Sequence, residues 1–221
     1  MQWNAANLDG LQMTRTSPYH YLNLRRNPFG ELTRDERAEL AIVEVDVLID
    51  FLATGRDVLQ VIGPCGHGKT THLLAIGKAM PTARYLYLPE DGPRPTVDAS
   101  RPMIVDEAQR MSWWQLRSAL RHGGPLILGT HVDLSKQICR AGLRVRTVDV
   151  TQPVSILRLA EILNQRIEAG RFNDGKLPQI TQEIASRLQQ VFGANVRAIE
   201  RHLYDEFQRS VLEQKTWPPA D

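Results

Sequence analysis

The apolar positions divide the chain into two parts with different periodicities. From residue 28 to 151, short apolar runs alternate with stretches at helical spacing, whereas three helical stretches without strands follow between 152 and 215. Strands separated by helices predict a mostly parallel sheet that is buried on both faces. We therefore expect an α/β core at 28–151 and a helical lid at 152–215, with an irregular N-terminal arm at 1–27 and a frayed tail at 216–221.

The boundaries of the core elements follow from the same pattern. Apolar runs predict strands at 58–62, 84–88, 103–105, 125–128 and 145–150, and helical spacing predicts helices at 34–54, 69–79, 112–121 and 133–141. Thr33 and Glu36 have the spacing of a capping box, which places the start of the first helix, and Gly55 would end it. The predicted core is an α/β fold with a sheet of about five parallel strands between layers of helices.

A glycine-rich loop joins the first strand to the helix that follows it. The sequence from Gly63 to Thr70 fits the phosphate-binding pattern G-x-x-x-x-G-K-[ST], and it lies between a strand and a helix as that pattern requires. The glycines allow backbone N–H groups to face phosphate oxygens, and the helix N-terminus adds favourable partial charge. The predicted ATP-binding residues are Gly63, Pro64, Cys65, Gly66, His67, Gly68, Lys69, Thr70 and Thr71, of which Cys65 and His67 are interpreted as variable positions.

Two sets of side chains would supply the chemistry. In the loop, Lys69 is expected to hold the β- and γ-phosphates, Thr70 to ligate Mg²⁺ through its hydroxyl, and Thr71 to lie near the α-phosphate. The strand at 103–105 ends in two carboxylates, Asp106 and Glu107. Successive side chains at a strand end point in different directions, so the first is expected to face Mg²⁺ and the second to polarise a water molecule.

Two further polar residues are candidates for contact with the nucleotide. Thr130 follows the apolar strand at 125–128, where its hydroxyl would either sense the γ-phosphate or serve only as a turn residue. Arg197 opens the last predicted helix after a Gly-Ala-Asn sequence and could reach back to the nucleotide. Both interpretations depend on the phosphate loop being present.

Net charge, cysteine content and the length of apolar runs bear on the partners and the location of the protein. The 27 Lys and Arg residues against 25 Asp and Glu give a net charge of +2, which does not by itself indicate a nucleic-acid partner. The two cysteines, Cys65 and Cys139, cannot form a disulfide framework, which favours a reducing, cytoplasmic setting. The sequence contains no apolar run of about 18 residues, so we expect no membrane span.

Other conspicuous residues have ordinary explanations. Trp113 and Trp114 start a predicted helix, where we expect them to pack rather than to form a platform for a nucleotide base. The histidines, including His131, have no carboxylate and nucleophile at the spacing of a hydrolytic triad. The sequence therefore gives no support for a hydrolase of the triad type.

Four segments together resemble AAA+ ATPases: the phosphate loop, Val105–Gln109, the Gly-Thr pair ending at Thr130, and the Gly-Ala-Asn-Val-Arg start of the last helix. The resemblance covers about residues 27–210. It is strongest to the branch that holds ExeA-type secretion ATPases, transposition helper ATPases of the TniB kind, and origin-recognition and initiator ATPases. The Asn-Pro-Phe turn at 27–29, the Asp-Glu-Ala-Gln box and Gln165–Gly170 favour that branch.

The resemblance implies a three-layer P-loop NTPase core, a C-terminal three-helix AAA+ lid, and ATP with Mg²⁺ as cofactors. It makes Thr130 the sensor 1 residue and Arg197 the sensor 2 residue. An arginine finger that acts on the neighbouring subunit would be Arg140, Arg144 or Arg146, and Arg144 has the expected position before the fifth strand. A homo-oligomer that ATP strengthens is therefore expected.

The resemblance also implies a protein partner and makes DNA a further candidate, since arginines are concentrated at 15–37 and 140–146. One departure concerns the interval between the second and third strands. The Pro-rich stretch at 89–101 leaves no room there for the helix and substrate loop usual in the family. A compact switch or loader ATPase acting on a protein or protein–DNA assembly fits better than a polymer translocase.

Two other functions stay open. The first is a nucleotide-gated adaptor that does not hydrolyse ATP. The second is a small-molecule kinase, which is disfavoured because it would need an acceptor pocket, whereas the adjacent Asp106 and Glu107 suit water activation.

Overall fold

The computed structural model describes residues 17–53, 57–91, 95–96, 102–121, 124–213 and 217. Within them, five strands form one sheet: β1 (Asp57–Ile62), β2 (Arg84–Tyr87), β3 (Met103–Asp106), β4 (Leu126–Thr130) and β5 (Arg144–Asp149). The strand order is β2-β3-β4-β1-β5 and every pairing is parallel. The predicted parallel α/β sheet is confirmed.

Eight α-helices accompany the sheet in the described part of the chain. They are α1 (Arg34–Glu39), α2 (Val45–Leu52), α3 (Lys69–Ala79), α4 (Trp113–Arg121), α5 (Ser135–Arg140), α6 (Ile156–Ala169), α7 (Gln182–Phe192) and α8 (Val196–Glu213). Short 3₁₀ turns lie at His20–Leu22 and Ala108–Arg110. None of these helices is long and apolar enough to cross a membrane.

The helix predicted at 34–54 is two helices, so that prediction was wrong. The capping box is present, because Glu36 N–H donates to the Thr33 hydroxyl (3.2 Å) and Thr33 N–H donates to the Glu36 carboxylate (2.8 Å). Residues 40–44 separate α1 from α2. They include the β-branched pair Ile42 and Val43, whose stiff side chains lower helix propensity. Gly55, the predicted stop, lies outside the described residues.

The three central strands of the sheet, β1, β3 and β4, are buried on both faces, as is typical of a parallel sheet. All residues of β3 and β4 are buried, and in β1 only Ile62 is partly accessible. Alternate side chains of β1 enter different clusters. Val58 packs in the cluster that includes residues of α4 and α5, whereas Leu59 and Val61 pack in the cluster that includes residues of α2 and α3. The three-layer arrangement follows from this alternation.

A separate hydrophobic cluster lies within the three-helix unit α6–α8 and includes part of the predicted N-terminal arm. Tyr19, Leu22 and Leu24 are buried in that cluster, and Leu24 forms a β-bridge with Arg171. Residues 17–27 have no regular strand or α-helix, yet their apolar side chains pack against the helices of this unit. Residues 1–16 lie outside the described part.

A buried arginine fastens the N-terminal segment to the lid. Arg166 on α6 donates to the carbonyl oxygens of Pro28 (3.0 Å) and Gly30 (2.7 Å) and to the carboxylate of Glu200 on α8 (3.0 Å). These partners satisfy the buried guanidinium with two carbonyls and one charge, which offsets the cost of its burial. The segment before α1 is thus attached to α6 and α8.

Two remaining predictions concern the connections. The described residues between β2 and β3 (88–91, 95–96 and 102) contain no helix, and the rest of the 89–101 stretch lies outside the described part. In the predicted tail, Trp217 packs on Phe207 with ring centroids 4.4 Å apart, whereas residues 214–216 and 218–221 lie outside.

Candidate nucleotide-binding site

The glycine-rich loop occupies the turn between β1 and α3, and two of its glycines are required by geometry. Gly66 and Gly68 have φ angles of +87° and +89°, a region that side chains strongly disfavour. A Cβ on Gly66 would lie 2.5 Å from Asn195 Oδ1, and one on Gly63 would lie 2.6 Å from Val150 Cγ2. The loop therefore packs closely against Val150, just before the lid, and against Asn195 within the lid.

Lys69, the first residue of α3, lies across this loop. It is buried, and its Nζ donates to the Pro64 carbonyl oxygen at 2.9 Å. Burial lowers the pKa of Lys69, while Glu107, Cys65 and Asp106 oppose this shift. Burial removes water from the Lys69 ammonium at the end of the glycine loop. Phosphate oxygens bound there would replace the lost water with a negatively charged partner.

Asp106 lies at the end of β3 and faces the start of α3. Its Oδ2 accepts hydrogen bonds from the Thr70 hydroxyl (2.9 Å) and the Tyr85 hydroxyl (2.9 Å). Burial and the adjacent Asp106 raise the pKa of Tyr85, so this hydroxyl remains a donor. Sequence reasoning missed Tyr85, because it reaches Asp106 only through the pairing of β2 with β3.

The oxygens of Thr70 and Asp106 fit a magnesium ion in part. A hydroxyl and a carboxylate are the hard ligands that Mg²⁺ prefers, and Mg²⁺ usually completes its shell with waters and phosphate oxygens. In the part of the chain that the structure describes, no three His, Cys, Asp or Glu residues group into a metal site. The donor set thus fits a Mg²⁺ ion that is bound together with a nucleotide.

Glu107 follows Asp106 in a strained conformation, with a φ of +64°. Its Oε2 accepts a hydrogen bond from Gln109 Nε2 (2.6 Å) and lies 3.4 Å from both Arg110 Nη2 and His131 Nε2. His131 therefore has a carboxylate partner, which the spacing of residues along the chain did not reveal. Two side chains from the following turn and one from the end of β4 therefore fix this carboxylate.

The Thr130 hydroxyl is used within its own turn. Thr130 is fully buried at the end of β4, where its hydroxyl donates to the Val132 carbonyl oxygen (2.9 Å) and accepts from Val132 N–H (3.1 Å). This geometry favours a turn residue over a γ-phosphate sensor, because both hydrogen bonds of the hydroxyl go to the backbone of the same turn.

Arg197 brings the lid into contact with the loop. Its backbone N–H donates to the Gly66 carbonyl oxygen (3.2 Å), and its Nη1 lies 3.1 Å from Cys65 Sγ. The Asn195 side chain caps α8 by accepting from Ala198 N–H (3.1 Å). The first turn of α8 therefore presents a guanidinium at the phosphate loop.

A cavity of about 210 Å³ adjoins the loop. Its apolar wall comes from the break between α1 and α2 and from the lid, and comprises Leu40, Ala41, Ile42, Val43, Val154, Ile162 and Val196. Lys69, Glu107 and Arg197 line the same cavity. A cavity with an apolar wall and a few charged side chains is typical of a small-ligand site.

No protein-family model matches the chain, and no curated protein matches its sequence. Among solved structures, the replication initiator DnaA bound to AMPPCP and single-stranded DNA is similar, with 13% identity, 80% of this chain and 67% of that chain covered, and a TM-score of 0.50. The Thermotoga maritima RuvB Holliday junction branch migration motor is also similar, with 15% identity, coverages of 84% and 64%, and a TM-score of 0.53.

The chain shares its fold with these two structures, an α/β core with an all-parallel five-stranded sheet and flanking helices. This confirms the predicted fold class, a parallel three-layer core followed by a helical lid. The chain spans about two thirds of the length of these two structures. At such low identities the likeness concerns the fold, so the resemblance to the ExeA and TniB branch stays a prediction.

Of the arginines considered for an arginine finger, Arg144 pairs with Asp57 at the start of β1, whereas the phosphate loop follows the end of β1. Arg144 makes two hydrogen bonds to the buried Asp57, with Nε 2.7 Å from Oδ1, and its guanidinium lies 5.6 Å from the Phe51 ring centroid. Arg146 donates to a backbone carbonyl at 3.0 Å. Arg140 makes no hydrogen bond or ion pair within the described residues. Arg144 is thus held by its own chain.

Proposed function

We propose that this protein binds ATP with Mg²⁺ and hydrolyses the ATP as a switch or loader ATPase that acts on a protein or protein–DNA assembly. The observation that carries the proposal is the convergence of Lys69, Asp106 and Glu107 at one end of the parallel sheet, beside a glycine loop. In open α/β sheets, ligands bind outside the carboxyl ends of the strands.

Each group has a distinct role in this proposal. Lys69 and Arg197 hold phosphate oxygens from the loop side and the lid side. Thr70 and Asp106 hold the Mg²⁺ ion, which when bound neutralises charge on the β- and γ-phosphates. Thr71 adjoins the α-phosphate on the next position of α3. The Thr130 hydroxyl would have to exchange its bonds to Val132 for the γ-phosphate in order to act as a sensor.

Glu107 polarises the attacking water in this proposal. The three donors around its carboxylate all contact Oε2, so Oε1 has no partner among the described residues. A carboxylate anchored through one oxygen can accept a proton from water through the other in a fixed direction. Gln109, Arg110 and His131 are therefore positioning residues for this carboxylate.

We further propose that ATP strengthens self-association, since a neighbouring subunit would supply one more arginine to the γ-phosphate. Arg140 is a better candidate for this role than Arg144. The exposed Arg140 side chain has no partner among the described residues, whereas Arg144 would have to break its bonds to the buried Asp57. Leaving that carboxylate buried and unpaired would be costly.

The nature of the target is supported by the fold and by the short connection between β2 and β3. One similar structure is described as a replication initiator bound to AMPPCP and single-stranded DNA, and the other as a Holliday junction branch migration motor. The interval between β2 and β3 is short and Pro-rich in sequence, and this supports a compact switch or loader over a translocase.

The test is phosphate release from Mg·ATP by the parent protein, Glu107→Gln and Glu183→Gln. Glu183 is an exposed carboxylate on α7, outside the cavity, and serves as the matched control. We expect Glu107→Gln to keep its ATP affinity and to lose turnover by roughly 10²- to 10⁴-fold, and the control to behave as the parent.

Two outcomes would contradict this account. Binding without turnover by the parent, even at high protein concentration, would favour the nucleotide-gated adaptor. Equal turnover by Glu107→Gln would show that another residue positions the water. Phosphate release without an added acceptor would argue against the small-molecule kinase.

A further inference from the structure

Two neighbouring tryptophans at the start of α4 are exposed. Trp113 is 59% and Trp114 73% exposed, and their ring centroids lie 4.5 Å apart at an interplanar angle of 74°. The expectation that they pack in the core is wrong, because Ala119 and Leu120 supply the buried face of this helix. Adjacent exposed indoles are costly to hydrate and are typical of binding surfaces.

Cationic side chains continue this surface along the helix. The Arg117 guanidinium lies over the Trp113 ring at 5.2 Å from its centroid, and Arg121 follows one turn later. Residues 113, 117 and 121 share one helix face because they are four positions apart. Helix α4 contains no acidic residue. We call Trp113, Trp114, Arg117 and Arg121 the α4 surface.

We propose that the α4 surface binds single-stranded nucleic acid. Indole rings stack on unpaired bases of any sequence, and arginines spaced along one face can meet successive phosphates. Bases in a duplex are already stacked on one another, so exposed indole faces favour a single strand.

The α4 surface is connected to the nucleotide site through a short turn. Arg110, three positions before Trp113, lies 3.4 Å from the Glu107 carboxylate and donates to the Leu88 carbonyl oxygen at 2.8 Å. A strand held at the start of α4 can therefore shift the turn that positions Glu107. This coupling rests on the proposed ATPase function, whereas binding by the α4 surface does not.

The experiment measures the affinity of the full chain for fluorescein-labelled oligo(dT) by anisotropy, without nucleotide. The variants are Trp113→Ala, Trp114→Ala and Arg117→Ala. Matched controls on α8 are Leu212→Ala, which is 75% exposed, and Arg201→Ala, which is exposed. We expect each tryptophan substitution to weaken binding about ten- to a hundredfold, and Arg117→Ala to reduce the salt dependence by about one counterion. The α8 variants should bind as the parent does.

The proposal would be overturned if the parent did not bind oligo(dT), or if the tryptophan variants bound it as tightly as the α8 controls. Either result would leave a protein as the occupant of this surface. Binding of a duplex as tight as that of oligo(dT) would also contradict it. ATP turnover of the same variants is measured separately. Loss of oligo(dT) binding with basal turnover retained would support the α4 surface, and absent turnover with intact binding would refute only the ATPase.

Discussion

Replacing Gly66 by alanine should weaken nucleotide binding more than it weakens the fold. At a φ of +87° a side chain adds about 1–2 kcal/mol of backbone strain. The new Cβ would also lie 2.5 Å from Asn195 Oδ1 and 3.2 Å from Arg197 Cβ, so the first turn of α8 must move by roughly 1 Å to restore ordinary contact distances. That movement withdraws Arg197 from the phosphates, and losing one charge-assisted hydrogen bond costs about 1.5–3 kcal/mol, or roughly ten- to a hundredfold in affinity.

Gly142→Ala provides the matched control for this prediction. Gly142 also has a positive φ, +75°, but a Cβ there would meet nothing within 4 Å. Both variants should lose about 1–2 kcal/mol in free energy of unfolding, measured in urea, from strain alone. In calorimetric titration with a non-hydrolysable ATP analogue, only Gly66→Ala should bind more weakly. Parent-like affinity of Gly66→Ala would refute the contact between lid and loop as a determinant of binding.

Three further predictions follow from the same geometry. Gly129→Ala should lower the free energy of unfolding in urea by about 1–3 kcal/mol, since its Cβ would lie 2.6 Å from Leu73 Cδ1; unchanged stability would contradict this packing. Burial lowers the pKa of His72, so the stability that its neutral form contributes is present above the unfolded pKa and is lost as pH falls below that value. His72→Gln should therefore make the free energy of unfolding less dependent on acid pH, and an unaltered pH dependence would contradict this prediction. Mixing Arg140→Ala with Lys69→Ala should restore part of the turnover, whereas no rescue would mean that Arg140 does not serve a neighbouring subunit.

The elements with clear local signals were predictable from sequence. Helix α3 has its predicted limits, 69–79, because the glycine loop that precedes it marks where it starts. The strand predicted at 103–105 is β3, one residue longer. By contrast, the burial of residues 17–27 depends on tertiary contacts with the lid, which no local period encodes. The break at 40–44 had a local signal in the β-branched pair Ile42 and Val43, which the apolar spacing of the flanking residues obscured.

The candidate site divides in the same way. The loop and the two carboxylates could be named from their motifs, but the partners of those carboxylates could not. Tyr85 reaches Asp106 because β2 pairs with β3, and His131 reaches Glu107 because β4 lies on the other side of β3. Strand order decides these contacts, and the spacing of residues along the chain does not reveal it. The exposure of Trp113 and Trp114 was missed because periodicity alone did not show which face of α4 is buried.

The central claim is that the loop at 63–70 binds the phosphates of ATP, and calorimetric titration with a non-hydrolysable ATP analogue in Mg²⁺ tests it most directly. We compare the parent with Lys69→Ala and with Lys78→Ala, which removes an exposed lysine of the same helix that pairs with Glu39. The account predicts saturable binding by the parent and by Lys78→Ala, and no detectable binding by Lys69→Ala. Equal binding by all three proteins, or none by the parent, would contradict it.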